Sequence, residues 1–352
     1  MREYKKSEAK EWAREKYHGL ENLILPSLKF VDFGDGETMV LDEAGIRHDV
    51  NMCKKNKFAM SCAIIEGMPF TIFEFLMREF WEIVLDEVKD DFLLSAYVCG
   101  NTFDETIKIA QLAESLGFSS MMLAYPPFFY PKNENEIYEF TKAVCDSVNL
   151  AVTAYASHKY NFERFHGSPY NPDLLVRIAD IENVVAIKMG TLDHSHITQC
   201  FKMVGDKALL GMPFPQHWST YVLGFDQQWA GSAPYELIQN PDKPYLVDYF
   251  NLLREGKLKE AMDIYWKIYP ALELFGELVE PTVRQGNYNI MHWKYFGWLN
   301  GLNGGPIPLS TSRLYEHEKI KLKKVLKSIG LTPREPDEEF YVGRVNYSTK
   351  NK

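Results

Sequence analysis

Eight short apolar runs alternate with helical stretches between Leu23 and Ser232, and this alternation limits the fold more than any other feature of the chain. The runs are Leu23–Phe30, Ala59–Ile65, Phe92–Val98, Ser120–Ala124, Ala151–Tyr155, Val184–Lys188, Ala208–Gly211 and Gln228–Ser232. Between them lie stretches of helical spacing: Asp42–Lys57, Phe73–Val88, Thr102–Leu116, Glu134–Val148, Pro172–Ala179, His194–Val204 and Gln216–Gly224. Strand–helix alternation implies parallel strands joined by helical crossovers. Eight such units fill a closed (β/α)8 TIM barrel better than an open doubly wound sheet, which usually stops at about six strands. A doubly wound sheet also needs a phosphate-binding glycine turn, and neither G-x-G-x-x-G nor G-x-x-x-x-G-K-[ST] occurs. The expected fold class is therefore α/β, a (β/α)8 barrel with a C-terminal helical module. Its expected divisions are an exposed N-terminal helical extension over 1–19, the barrel over 20–240, the helical module over 241–331 and a loose polar tail over 332–352. Within the module, Tyr245–Glu255, Lys257–Glu277, Asn287–Leu302 and Glu316–Ile329 read as helices.

Composition narrows the function. With 46% hydrophobic and 25% charged residues, the chain can bury a large core. A net charge of -9 without a long basic run argues against nucleic acid or an anionic membrane as partner. A small molecule is the expected ligand. The five cysteines (Cys53, Cys62, Cys99, Cys145 and Cys200) are never spaced as C-x-x-C, so neither a disulfide framework nor a zinc ribbon is expected. The N-terminus is charged throughout, and no apolar run reaches the length of a membrane span. Together these features make the cytoplasm the expected compartment.

The chemistry centres on Asn183–Gly190, NVVAIKMG, where a β-branched apolar run of the kind buried on both faces ends in Lys188. Burying an ammonium costs several kcal/mol unless it is paired or gives up its proton. A lysine at the carboxyl end of such a strand either snorkels to solvent or serves as an amine able to attack a carbonyl and form a Schiff base. Barrel active sites lie at the carboxyl ends of the strands. There Tyr155 ends the strand before that of Lys188, and a phenol beside an amine can relay protons as an imine forms. Glu66, Gly67, Tyr125, Phe128, Ser157, Gly211 and Ser232 are the candidate substrate-contacting positions. Imine chemistry of this kind needs no cofactor, and none is expected. No metal is expected either, because His194 and His196, read as surface residues, diverge at i and i+2 on a helix.

In order and spacing the chain resembles the dihydrodipicolinate synthase and N-acetylneuraminate lyase superfamily of class I aldolases over roughly residues 20–331. The resemblance rests on Gly100-Asn101, Glu105-Thr106, Ala110–Gly117 and Tyr125–Pro131. It continues through Ala154-Tyr155-Ala156, Ile181–Lys188, Arg254–Ala261 and Lys294–Leu331. It implies that Lys188 forms the Schiff base, that Tyr155 is the proton relay, and that the chain assembles as a homotetramer. The stretch after the fifth strand and the long C-terminal segment are most similar to the hydratase-aldolases that cleave aromatic 2-oxo acids. Lysine synthases carry a proline-glycine-arginine run after the tyrosine, whereas this chain reads Ser157-His158-Lys159-Tyr160.

The chain departs from the family after the second strand. Pyruvate-binding members carry a glycine-threonine-threonine-glycine-glutamate turn, and here the positions read Ile64-Ile65-Glu66-Gly67-Met68. The tyrosine that the family supplies from a neighbouring subunit is also missing, with Pro127 and Phe128 at that turn. The expected activity is a lyase acting on a 2-oxo acid or a bulky apolar or aromatic carbonyl compound. Two other readings fit the same residues: a synthase joining or cyclising carbonyl substrates through the same imine, and a barrel without turnover that binds or regulates. If Glu66 faces the pocket, its charge repels the carboxylate of pyruvate. Glu66→Thr is then expected to raise trapping of pyruvate on Lys188 at least about tenfold, because one desolvated like-charge contact is worth upward of about 1.4 kcal/mol. Equal trapping by both proteins would mean that Glu66 points elsewhere.

Overall fold

The computed structural model describes residues 4–350 except 33, 35, 65–69, 90, 127, 169, 285–289 and 307–312. The strands in chain order are β1 (Gly19–Ile24), β2 (Leu28–Asp32), β3 (Glu37–Leu41), β4 (Met60–Ala63) and β5 (Leu93–Val98). They continue with β6 (Ser120–Leu123), β7 (Ala151–Ser157), β8 (Val184–Gly190), β9 (Leu209–Gly211) and β10 (Trp229–Ala233). Eight of them form one sheet in the order β10-β1-β4-β5-β6-β7-β8-β9. Consecutive pairs from β4 to β9 are parallel. With β10 also packed beside β9 and β8, the sheet rolls into the nearly closed TIM barrel expected from the alternation. Every residue of β7 is buried, as is every residue of β8 up to Met189. That is why these strands read as unbroken apolar runs rather than alternating ones.

The first strand differs from the sequence reading. It begins at Gly19 and stops at Ile24, and Leu28–Asp32 pairs instead with Glu37–Leu41 as an antiparallel hairpin. Pro26 explains the break, since it has no N–H for the sheet ladder and fixes its own φ.

The chain forms two compact units, one of residues 1–21, 59–66 and 93–233, the other of residues 22–58, 67–92 and 234–352. In the first, the N-terminal helix α1 (Ala9–Lys16) is not the exposed extension that its charges suggested. Ala9, Ala13 and Tyr17, four residues apart on one face, are fully buried with Tyr4, Met60, Ala151, Val185, Ala186 and Trp229. Met60, Ala151 and Trp229 are the first residues of β4, β7 and β10, so α1 seals the amino ends of the strands. Its cations are used as well: Lys6 donates to Cys145 O at 2.8 Å, Lys10 to Ala179 O at 2.6 Å and Arg14 to Asp206 O at 2.6 Å. These carbonyls lie at or just past the carboxyl ends of three helices, where a positive charge is favoured. A sealed amino face leaves the carboxyl ends of the strands as the open one.

In the second unit, the helices Tyr245–Arg254, Leu258–Arg284, Ile290–Leu299 and Glu316–Ser328 follow the expected pattern. The segment expected as a loose tail is folded, with helices at Glu338–Val342 and Arg344–Lys350. Phe340 is buried between Tyr295 and Trp298, at ring separations of 5.0 and 5.8 Å. The buried Glu339 carboxylate accepts from Trp298 Nε1 at 3.1 Å and pairs with Arg334 and Arg344.

This unit also buries three ionisable groups, Asp49, Glu236 and Lys294, around one small cavity. Burial pushes the Glu236 carboxyl up to about 8; its backbone and Asn22 bonds pull the other way, and the charge of Asp49 adds to the rise. One Glu236 carboxylate oxygen meets no hydrogen-bonding partner among the described residues. From the ordinary glutamate range up to about 8, the folded chain holds this proton and the unfolded chain does not, so stability falls as pH rises. Glu236→Gln, which cannot ionise, should therefore stabilise the protein at pH 8 relative to wild type by about 2–4 kcal/mol, and by little at pH 5. Thermal melts of the two proteins across that range would show curves that diverge with pH; parallel curves would contradict the assignment.

Candidate active site

Parallel pairing of β7 with β8 sets Tyr155 opposite Lys188, and Gly211 of β9 lies opposite Lys188 on its other side. Both side chains are nearly closed to solvent, with Lys188 6% and Tyr155 5% exposed. Lys188 Nζ sits 4.2 Å from the centre of the Tyr155 ring, the range of a cation over an aromatic face, and donates to Ser232 Oγ at 3.3 Å. Room for the lysine stem comes from Gly231, where an added Cβ would stand 2.8 Å from Lys188 Cγ. Gly190 does the same for Tyr155, because a Cβ there would meet the ring at 2.8 Å. Two glycines thus hold open the space in which amine and phenol meet.

A second amine stands beside this pair. The strand β7 runs into a short turn, His158–Tyr160, whose first N–H groups are capped by the Ser157 hydroxyl accepting from Lys159 N at 3.4 Å. Lys159 Nζ donates to Tyr97 Oη at 3.0 Å and lies 5.1 Å from the ring centres of both Tyr155 and Tyr160. His158 is fixed by Glu163 and by Thr191 Oγ1, the latter at 2.9 Å.

Beneath Lys188 lies an acid. Glu21 on β1 is 1% exposed and accepts the Ser232 N–H at 2.8 Å. Burial pushes its carboxyl up, while the charge of Lys188 and hydrogen bonds from Ser95 and Ser232 pull it back. Tyr17 below it is pushed up by burial and then by the charge of Glu21.

Residues 77–227 match the model of the "Dihydrodipicolinate synthetase family". A 4-hydroxy-tetrahydrodipicolinate synthase of Methanothrix thermoacetophila is 21% identical over 288 residues, covering 81% of this chain and 90% of the relative. N-acetylneuraminate lyase from Fusobacterium nucleatum superposes with a TM-score of 0.70 at 16% identity, over 89% of this chain and 99% of that one. A prophage protein of the dihydrodipicolinic acid synthase family from E. coli K12, solved in complex with pyruvate, gives a TM-score of 0.67 at 20% identity, over 89% and 99%. Over residues 77–227 the chain is thus similar to the dihydrodipicolinate synthetase family, and it shares its fold with N-acetylneuraminate lyase. That similarity supports chemistry of the Schiff-base class I aldolase and synthase type.

Against that superfamily pattern, the other candidate residues fall in different places. Ser232 and Gly211 adjoin Lys188, and Gly211 has no Cβ because one would stand 2.3 Å from the Trp229 ring. Ser157 is buried in its capping role. Tyr125 goes into the packing: its hydroxyl bonds Thr141 Oγ1 at 2.6 Å, and its ring stacks on Phe129 and meets Tyr160 and Phe162 edge-on. Phe128, in the next turn, is 84% exposed. Glu66, Gly67 and Pro127 lie outside the described residues. His196, expected at the surface, is buried, with its ring 3.6 Å from Cys200 Sγ. Among the described residues no group of three or more His, Cys, Asp and Glu side chains gathers as a metal site, and no helix is long and apolar enough to cross a membrane.

The sequence reading missed Glu21, Tyr97 and Lys159 as members of this site. A glutamate in Gly19-Leu-Glu-Asn22 looks like any polar residue near a strand end. Only closure of the sheet, which puts β1 beside β10, turns it inward.

Proposed function

We propose that the protein is a lyase of the aldolase or hydratase-aldolase kind in which Lys188 condenses with the carbonyl of a 2-oxo acid, with an aromatic or otherwise bulky apolar remainder. The observation that carries this reading is the Tyr155–Lys188 pair, held opposite each other across two fully buried strands with the amine 4.2 Å from the ring. Lys188 attacks the carbonyl carbon, and the carbinolamine loses water. The iminium then draws electrons from the bond at the β carbon, which breaks or forms through an enamine. Tyr155 carries protons to and from these intermediates, a role that needs a titratable group within reach of the amine. Lys159, bonded to Tyr97 and lying over the Tyr155 and Tyr160 rings, adds positive charge that suits a substrate carboxylate. The pyruvate found in the related prophage protein is itself a 2-oxo acid.

A synthase that joins carbonyl substrates through the same imine is the second reading, favoured by the relatives named as 4-hydroxy-tetrahydrodipicolinate synthases.

Borohydride reduction in the presence of pyruvate or of an aromatic 2-oxo acid is expected to add the reduced mass of the acid to the peptide bearing Lys188. Lys188→Ala should abolish the adduct and turnover alike. Tyr155→Phe should keep the fold and slow imine formation by about 10²–10⁴-fold, the usual worth of a positioned proton carrier. An adduct that survives in Lys188→Ala would overturn the assignment.

A further inference from the structure

The interior of a (β/α)8 barrel is usually filled by layers of branched apolar side chains. Here a polar line runs through it. Tyr17, at the end of α1, bonds Thr153 Oγ1 at 3.4 Å and Ser120; Ser120 bonds Ser95 at 2.8 Å; and Ser95 bonds Glu21. Glu21 accepts from the Ser232 N–H at 2.8 Å; the Ser232 hydroxyl, which also helps hold Glu21 charged, donates to Met122 Sδ at 3.4 Å, and its oxygen accepts from Lys188 Nζ at 3.3 Å. Five strands, β1, β5, β6, β7 and β10, give up apolar volume to build the line. A carboxylate with 1% exposure is costly to keep unless a cation balances it, and the cation whose charge acts on Glu21 is Lys188. Besides that N–H, the hydroxyls of Ser95 and Ser232 help hold Glu21 charged, and a hydroxyl can pass a proton on as well as hold a shape.

We propose that Glu21 is the buried counter-charge and proton store of Lys188, working through the Ser232 hydroxyl as a positioning residue for imine formation. In the resting pair Lys188 is an ammonium and Glu21 a carboxylate. Once the Ser232 hydroxyl turns from Met122 Sδ toward Glu21, a proton moves from Lys188 Nζ to Ser232 Oγ as the Ser232 proton moves to Glu21, leaving a neutral amine and a carboxylic acid. The amine adds to the carbonyl carbon, the carbonyl oxygen leaves as water, and the neutral imine takes the proton back from Glu21 along the same path. The sum converts an ammonium and a carbonyl into an iminium and one water. The iminium is then paired with a carboxylate 2.8 Å from Ser232 N. The titratable and charged groups facing the Glu21–Lys188 pair are Tyr17 from α1 and Tyr155 from β7, with Lys159 over the same Tyr155 ring.

The inference rests on Lys188 being the reacting amine, and its test reads the amine without any carbonyl. Lys188 in the full-length protein is acetylated by trace acetic anhydride across a pH series, and the extent is read from its peptide by mass spectrometry. Removing a neighbouring negative charge removes what holds the proton on an amine. Glu21→Gln should therefore move the pH of half-maximal Lys188 reactivity down by a unit or more, while borohydride trapping of pyruvate, which needs a counter-charge for the iminium, falls at least tenfold. A purely structural Glu21 would leave the profile of wild type in Glu21→Gln, and that result overturns the proposal. Should Glu21→Gln not fold, Glu21→Asp withdraws the carboxylate by one methylene and must shift the profile the same way by a smaller amount; an unchanged profile there overturns it equally. Absence of pyruvate trapping in wild type together with a shifted profile in Glu21→Gln would count against the Schiff-base function and leave the Glu21–Lys188 pairing standing.

Discussion

One amine buried at the end of a fully apolar strand sets the terms for the rest of the barrel. An ammonium removed from water costs several kcal/mol unless neighbours replace its hydration. Around Lys188 those neighbours are an aromatic face, a serine hydroxyl and a carboxylate one bond further on, supplied by β7, β10 and β1. Each can reach the amine only if the sheet closes with β10 beside β1 and β7 beside β8. Gly231 and Gly190 follow from the same demand, since side chains at those positions would fill the space of the amine stem and of the phenol.

The sealed amino face is the counterpart of that open carboxyl face. α1 inserts Ala9, Ala13 and Tyr17 among the first residues of β4, β7 and β10, and its lysines and arginine close helix ends around them. Tyr17 is therefore both the stopper of the barrel and the foot of the polar line that reaches Lys188. The seal and the polar line share Tyr17, and along that line the interior departs from plain apolar layers.

How much of this was legible depended on whether the signal was periodic. The runs at Val184–Lys188 and Ala151–Tyr155 announce strands buried on both faces, and their order puts the lysine and the tyrosine side by side without any coordinates. The break at Pro26 was written in the sequence too, but an apolar run on either side of it masked the end of β1. Charge misled the reading at both termini. The lysines and arginine of α1 suggested solvent, whereas their stems cover the core and their heads find carbonyls. The polar segment after residue 332 folds because Glu339 and Phe340 are buried by Arg334, Trp298 and Tyr295, partners distant in sequence or of opposite charge. Tyr125, at a strand end like Tyr155, went to the packing because Thr141 and a cluster of rings surround it. Glu21 carries no periodic signal at all, since a lone carboxylate reads the same whether it faces water or a lysine.

The most direct test of the account is a crystal of the protein soaked with pyruvate, and in parallel with an aromatic 2-oxo acid. Electron density continuous from Lys188 Nζ to the former carbonyl carbon, with Tyr155 against the new bond, is the predicted result. An ordered 2-oxo acid whose carbonyl is intact and whose density is separate from Lys188, or an adduct on another lysine, would contradict it.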